Sequence, residues 1–410
     1  MPLTETDAVH RWNALLERVR DRVPFYRERL PAGRLTSLDD VARLPFTTKD
    51  DFRDNYPFGL FATPAAEVVR VHMSSGTTGR PVVTGYTRRD LDLWAECMER
   101  VLRAGDVTAT DVVQNAYGYG LFTGGFGFHA GAERIGSTVI PTSSGVTQRQ
   151  VMLLRDLGTT VLTCTPSYAL VLAEAIGQQG VRDVLRLRAG FFGAEPWTDG
   201  MRREIERGLG LEAFDIYGLT ELGGPGVGVE CHRHDGLHLF EDHYYAEVID
   251  PDTGVALPPG NPGELVLTSL RREASPVVRY RTRDRTVLLD EPCPCGSPFR
   301  RMRKISGRTD DMLVVRGENV FPSHIEEILL QVGGLTGNYQ LVVDRQKRRL
   351  DSVQVRVEAR EGAEQVGLRQ LAEERIRETM GLTVAVTVLA PGALPRSEGK
   401  ARRVIDLREL

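Results

Sequence analysis

Ser74-Ser75-Gly76-Thr77-Thr78-Gly79-Arg80-Pro81 stands directly after the alternating apolar run Val68-Val69-Arg70-Val71-His72-Met73 and before Val82-Val83-Thr84-Gly85-Tyr86. A loop of small residues and hydroxyls keeps side-chain bulk away from its own backbone N–H groups, so it can wrap a string of phosphate oxygens. No Lys-Ser or Lys-Thr follows a second glycine, and Arg80-Pro81 occupies that place, which argues against a Walker loop and so against a kinase or motor ATPase. A flexible linker has the same composition. What separates the two is the strand-like sequence on both sides.

Outward from this loop, between about Leu60 and Phe214, apolar runs such as Thr160-Val161-Leu162-Thr163 and Ala189-Gly190-Phe191-Phe192-Gly193 alternate with helical stretches, Gln148 to Leu157 and Tyr168 to Gln179. This pattern predicts an α/β fold with a helix-covered, mainly parallel sheet. Upstream, Val9, Trp12, Leu15, Leu16, Val19 and Val23 recur at helical steps behind the capping candidates Thr6 and Asp7. Downstream, the clusters Glu291-Pro292-Cys293-Pro294-Cys295-Gly296 and Gly307-Arg308-Thr309-Asp310-Asp311 interrupt the apolar pattern. Beyond them a strand (352–357), a helix (364–380) and a second strand (382–388) predict a small α+β unit with its own core. We divide the chain at 1–309 and 310–410.

The 410 residues exceed one ordinary core. A net charge of −4 and a pI near 6.1 supply no positive field for nucleic acid or an anionic membrane, so a small-molecule partner is expected. The start, Met1-Pro-Leu-Thr-Glu-Thr-Asp7, is neither basic nor apolar, no run approaches a membrane span, and five cysteines argue against a disulfide framework. A cytoplasmic location is expected.

Four further stretches follow the loop in order: Phe192-Gly193-Ala194-Glu195-Pro196, Tyr217-Gly218-Leu219-Thr220-Glu221, Arg279-Tyr280-Arg281-Thr282-Arg283-Asp284 and Pro395-Arg396-Ser397-Glu398-Gly399-Lys400. With Gly307 to Asp311 they resemble the adenylate-forming enzymes, which include acyl and aryl coenzyme A ligases. Within that superfamily the chain is most similar to the phenylacetate-coenzyme A ligases, and Asn115-Ala116-Tyr117-Gly118-Tyr119-Gly120-Leu121-Phe122-Thr123-Gly124-Gly125 is a specific match. The motifs gain their weight from standing together in order.

The resemblance implies ATP-dependent activation of an aromatic carboxylic acid to an acyl-adenylate, then transfer to coenzyme A. Two anions must meet in the first step, so positioning and positive charge carry it. By resemblance, Ser74, Ser75, Gly76, Thr77, Thr78 and Gly79 hold phosphates, Thr220 contacts the α-phosphate and Glu221 coordinates Mg²⁺. Glu221 also fits a solvated turn carboxylate ahead of Gly223-Gly224. Tyr217 and the Gly193, Ala194, Glu195, Pro196 turn would flank adenine, although Tyr217 could equally fill core. The resemblance also implies Arg308 in the nucleotide site, and Asp284 would accept from the ribose hydroxyls or pair with an arginine beside it. Lys400 is the catalytic cation by resemblance: an ammonium about 4 Å from the developing charge contributes roughly 4 kcal/mol at an effective dielectric of about 20, about a thousandfold in rate. Without the family, Arg396 to Arg403 reads as a basic tail.

Asp310 is the implied hinge, about which the C-terminal unit turns between the two half-reactions. Tyr117, Tyr119, Phe122, Gly124, Gly125 and His129 form the candidate acid pocket, although aromatics with glycines also make ordinary packed turns. Phe128 and Ala130 depart from the phenylacetate pattern, so a substituted benzoate or aminobenzoate competes as substrate. A carrier-protein thiol or an amine competes as acceptor, and a non-catalytic sensor of nucleotide or aryl acid is the reading from another class. A homodimer is a family expectation. Finally, Cys231, His238, Cys293 and Cys295 offer a Cys₃His set for structural Zn²⁺, with His232 and His234 read as exposed loop residues and free buried thiols as the alternative. The pair is Cys-x-Cys rather than the commoner Cys-x-x-Cys.

Overall fold

The computed structural model describes residues 3–74, 80–308, 313–315, 318–344, 352–364, 367–380, 382–396 and 403–407. The first helix, Glu5–Arg22, is capped earlier than the sequence suggests: Thr4, not Thr6 or Asp7, accepts the Asp7 N–H, and Thr6 lies inside the first turn. Its apolar stripe of Trp12, Leu15, Leu16 and Val19 is buried, with Trp12 edge-on to Tyr245 at 5.4 Å.

One twelve-stranded sheet runs through the large body. Five of its strands pair in parallel, in the order Thr138–Ile140, Val112–Asn115, Val161–Cys164, Ala189–Phe192, Glu212–Leu219. Helices Gly124–Ile135, Thr147–Asp156, Pro166–Gln179 and Asp199–Leu209 connect successive strands of this set, as parallel pairing requires. Val161–Cys164 and Ala189–Phe192 are buried throughout, which explains their continuous apolar reading. After Leu219 the chain reverses. Gly224–Glu230, Leu237–Leu239, Arg301–Met302, Tyr280–Leu289, Pro262–Ser269 and Tyr244–Ile249 extend the sheet with antiparallel pairs. The α/β class holds, the parallel pairing falling where the strand and helix runs alternate.

The chain from Leu313 onward has a separate core, in which Ile325, Leu329, Leu341, Val343, Val355, Val357 and Ile376 are buried. Its sheet runs Ala385–Leu389, Ser352–Ala359, Leu335–Asp344, Val404–Asp406, with helices Pro322–Gln331 and Leu368–Met380. Leu330 packs against the apolar cluster beneath helix Asp199–Leu209, Arg360 pairs with Glu204, and Arg396 bridges Glu174 at 3.2 Å. Among the described residues no helix is long and apolar enough to cross a membrane.

Candidate active site

In an open parallel sheet the loops beyond the carboxyl ends of the strands form the crevice where ligands bind. Here those loops are Ala116 to Tyr119 after Val112–Asn115, Gly193 to Pro196 after Ala189–Phe192, and Thr220 to Leu222 after Glu212–Leu219. Three of the motifs singled out in the sequence therefore share one edge because of the topology.

Asn115 organises the first of these loops. Its fully buried amide donates to Gly125 O and to the Tyr119 hydroxyl, each at 2.7 Å, while Oδ1 accepts from Thr163 Oγ1 at 2.9 Å and Tyr117 N at 3.3 Å. Both donors and both lone pairs of the amide are used. Tyr117 stacks on Phe128 at 5.3 Å and 4°, and its hydroxyl lies beside the Gly193 backbone, with a pKa raised well above the ordinary value by burial. Gly125 packs so closely that an added Cβ would sit 2.7 Å from Gly118 O. At Gly124 the nearest atom would be Phe122 Cε1 at 2.9 Å. His129 is half-buried, its Nδ1 3.1 Å from the Tyr119 hydroxyl and its Nε2 3.0 Å from Glu133. All six residues read as the acid pocket thus lie in one connected cluster.

The nucleotide motifs converge less completely. Arg70–Met73 and Val83–Tyr86 pair antiparallel, and Ser74 closes the base of the turn between them: its N–H donates to Val82 O and its Oγ accepts from Val82 N, both at 2.9 Å. Ser75 to Gly79 lie outside the described residues, as do Asp310 and Lys400. Gly193 leaves no room for a side chain, since a Cβ would meet Ile216 O at 2.6 Å. Ala194 has φ +71°, a left-handed backbone that a non-glycine residue adopts at a cost. The Glu195 carboxylate accepts from Ser167 N at 2.8 Å, at the N-terminus of helix Pro166–Gln179.

On the facing wall, Asp284 is buried and takes the Tyr217 hydroxyl on Oδ2 at 2.5 Å and Arg308 Nη1 on Oδ1 at 3.1 Å. Of the arginines in its own motif, Arg279 pairs with Glu247 and Arg281 with Glu264. Thr220 and Glu221 are buried in a 3₁₀ turn. Tyr280 has a pKa raised well above the ordinary value by burial, and next by the Glu221 carboxylate beside it. Asn115, Tyr280 and Thr282, whose hydroxyl accepts Asp284 N at 3.0 Å, lie within the sequence motifs, but residue type alone assigns them no role.

The predicted metal ligands also meet. Cys231, His238, Cys293 and Cys295 each place one ligand atom within 4.8 Å of the others. His232 is exposed as expected, whereas His234 is partly buried against Arg202 and Glu212.

Known proteins with this arrangement define its class. A family model of AMP-binding enzymes matches residues 32–270, and one of the AMP-binding enzyme C-terminal domain matches residues 317–408. The chain belongs to this family of adenylate-forming enzymes. More narrowly, it is 50% identical to a phenylacetate-coenzyme A ligase of Pseudomonas putida, over 97% of this chain and 92% of that protein. It is 47% identical to one of Thermus thermophilus, over 97% and 95%. Among solved structures, 2-hydroxyisobutyryl-CoA ligase in the postadenylation state with an acyl-AMP matches at TM-score 0.91 and 30% identity, covering 98% of this chain and 89% of that one. The same ligase in the thioesterification state, with 2-HIB-AMP and CoA, matches at 0.73 and 31% identity, covering 99% and 90%. This chain superposes more closely on the postadenylation form of that ligase than on its thioesterification form.

Proposed function

We propose that this chain activates phenylacetate or a close arylacetic acid with ATP and Mg²⁺, releases pyrophosphate, and passes the acyl group from the adenylate to coenzyme A. The observation that carries this reading is the near full-length identity to phenylacetate-coenzyme A ligases. In it, the loop from Ser74 to Gly79 holds the triphosphate, with Thr220 at the α-phosphate and Glu221 as the protein ligand of Mg²⁺. Asp284 and Arg308 bind the ribose end, and Tyr217 with the Gly193 to Pro196 turn borders the adenine. A buried carboxylate suits a hard cation such as Mg²⁺, and the burial of Glu221 supports that role.

The acid's ring lies among Tyr117, Tyr119, Phe122, His129 and the Gly124-Gly125 backbone. Phe128 is core rather than pocket wall: it is fully buried and acts through its stack on Tyr117. The division at 309/310 and the turn about Asp310 belong to this reading, supported by the separate core that begins at Leu313. The Zn²⁺ expected from the cysteines takes no part in this chemistry.

The test is carboxylate-dependent pyrophosphate exchange across arylacetates, benzoates and aminobenzoates, followed by addition of coenzyme A. Preference for phenylacetate with thioester formation supports the proposal. Exchange without thioester points to another acceptor, and preference for a benzoate overturns the substrate.

A further inference from the structure

We propose that Cys231, His238, Cys293 and Cys295 bind one Zn²⁺ in a closed tetrahedral site that ties the loop after strand Tyr280–Leu289 to the antiparallel half of the sheet. The argument is geometric. Zinc with Zn–S of about 2.3 Å and Zn–N of about 2.0–2.1 Å, in a tetrahedron, sets its ligands about 3.8 Å apart for two sulfurs and about 3.6 Å apart for sulfur and nitrogen. Cys231 Sγ lies 3.8 Å from Cys293 Sγ, and Cys295 Sγ lies 3.4 Å from His238 Nε2. A disulfide needs its sulfurs at about 2.05 Å, so the cysteine pair has the spacing of two ligands of one ion.

The surroundings are those of a metal site. His238 Nδ1 is 2.9 Å from Phe299 O, and because a carbonyl only accepts, the ring proton sits on Nδ1 and the Nε2 lone pair faces the thiols. Ser297 N–H donates to Cys295 Sγ at 3.4 Å, a contact that favours a thiolate. Gly296, at φ +81°, turns the chain immediately after Cys295. Cys231, His238 and Cys293 are buried while Cys295 is exposed, which gives the ion a way in.

The ligands span three neighbouring segments. Cys231 follows strand Gly224–Glu230, His238 lies in Leu237–Leu239 opposite Arg301, and the Cys-x-Cys pair sits between Tyr280–Leu289 and Arg301–Met302. The ion would therefore brace the stretch running from Asp284 to Arg308 without touching either. A second cluster, Glu96, Asp242 and His243, does not qualify. Arg100 pairs with both carboxylates and Arg271 Nη1 lies 2.9 Å from His243 Nε2, so cations already fill that place.

Protein purified under reducing conditions without added metal is analysed by mass spectrometry for bound metals, with about one Zn²⁺ per chain expected. Cys293→Ser and Cys295→Ser should lose that zinc, while His243→Gln should keep it. If the serine variants do not fold, wild-type chain grown with Co²⁺ carries the test, since tetrahedral thiolate coordination gives intense visible absorption. Retained pyrophosphate exchange in the Co²⁺ form separates a failed zinc site from a failed reaction assignment. Folded protein lacking zinc and showing no Co²⁺ spectrum, a Cys231–Cys293 disulfide in the reduced preparation, or zinc retained by both serine variants would overturn the proposal.

Discussion

The Tyr217 hydroxyl donates to Asp284 at 2.5 Å across 67 residues of sequence, joining the last parallel strand to the antiparallel half of the sheet. A hydrogen bond to a buried anion contributes about 1.5–3 kcal/mol, and Tyr217→Phe should lower stability by that amount. Urea denaturation should show a lower midpoint with an unchanged slope. If Asp284 also holds the ribose, Asp284→Asn should raise the KM for ATP about tenfold or more, equivalent to about 1.4 kcal/mol. An unchanged KM for ATP would remove Asp284 from the nucleotide site.

That pairing shows what the sequence could and could not reveal. The parallel half was legible because strands buried on both faces read as plain apolar runs, and Thr160 to Thr163 predicted Val161–Cys164. Strand Tyr280–Leu289 alternates as cleanly, yet it turns Tyr280, Thr282, Asp284 and Thr286 inward and Arg281, Arg283 and Arg285 outward. Its buried face is largely polar, so no hydrophobic period announces it. The left-handed backbones of Ala194 and Arg283 were equally hidden, since no glycine marks them. Residue type alone did pick out the four residues of the Cys₃His cluster, because cysteine and histidine are scarce enough for their grouping to be conspicuous.

Asn115 should tolerate no replacement. Asn115→Leu removes four hydrogen bonds and leaves Gly125 O, the Tyr119 hydroxyl, Tyr117 N and Thr163 Oγ1 to find other partners inside the fold. The expected loss is about 3 kcal/mol, below the sum of the separate bonds because a network relaxes together. Thermal unfolding measures it, and a change under about 0.5 kcal/mol would show that the amide is not the organiser of this loop.

The small domain should carry a pH dependence of its own. Glu326 is buried, and burial pushes its pKa from the usual 4.5 up to about 7, against the pull of Arg403, whose Nε lies 3.7 Å away. Between these two values the native chain holds a proton that the unfolded chain has released. The contribution is therefore fully present below about pH 4.5 and is lost as pH rises through about 7. Glu326→Gln, which cannot titrate, should gain stability relative to the wild type across this window. Denaturation curves at a series of pH values test this, and parallel profiles for the two proteins would refute it.

In the proposed reaction Lys400 should separate the two half-reactions. A cation placed for adenylation matters when the carboxylate attacks the α-phosphate and has no comparable task once the adenylate exists. Lys400→Ala should therefore reduce carboxylate-dependent pyrophosphate exchange about a thousandfold, the consequence of losing roughly 4 kcal/mol of electrostatic stabilisation. Thioester formation from supplied acyl-adenylate and coenzyme A should fall far less. Lys400→Arg keeps the charge but changes its shape and reach, so partial rescue of exchange by arginine would assign the effect to charge. Equal losses in both assays would mean that the lysine serves the architecture of the C-terminal domain rather than one step, and the division of labour between the two half-reactions would fall with it.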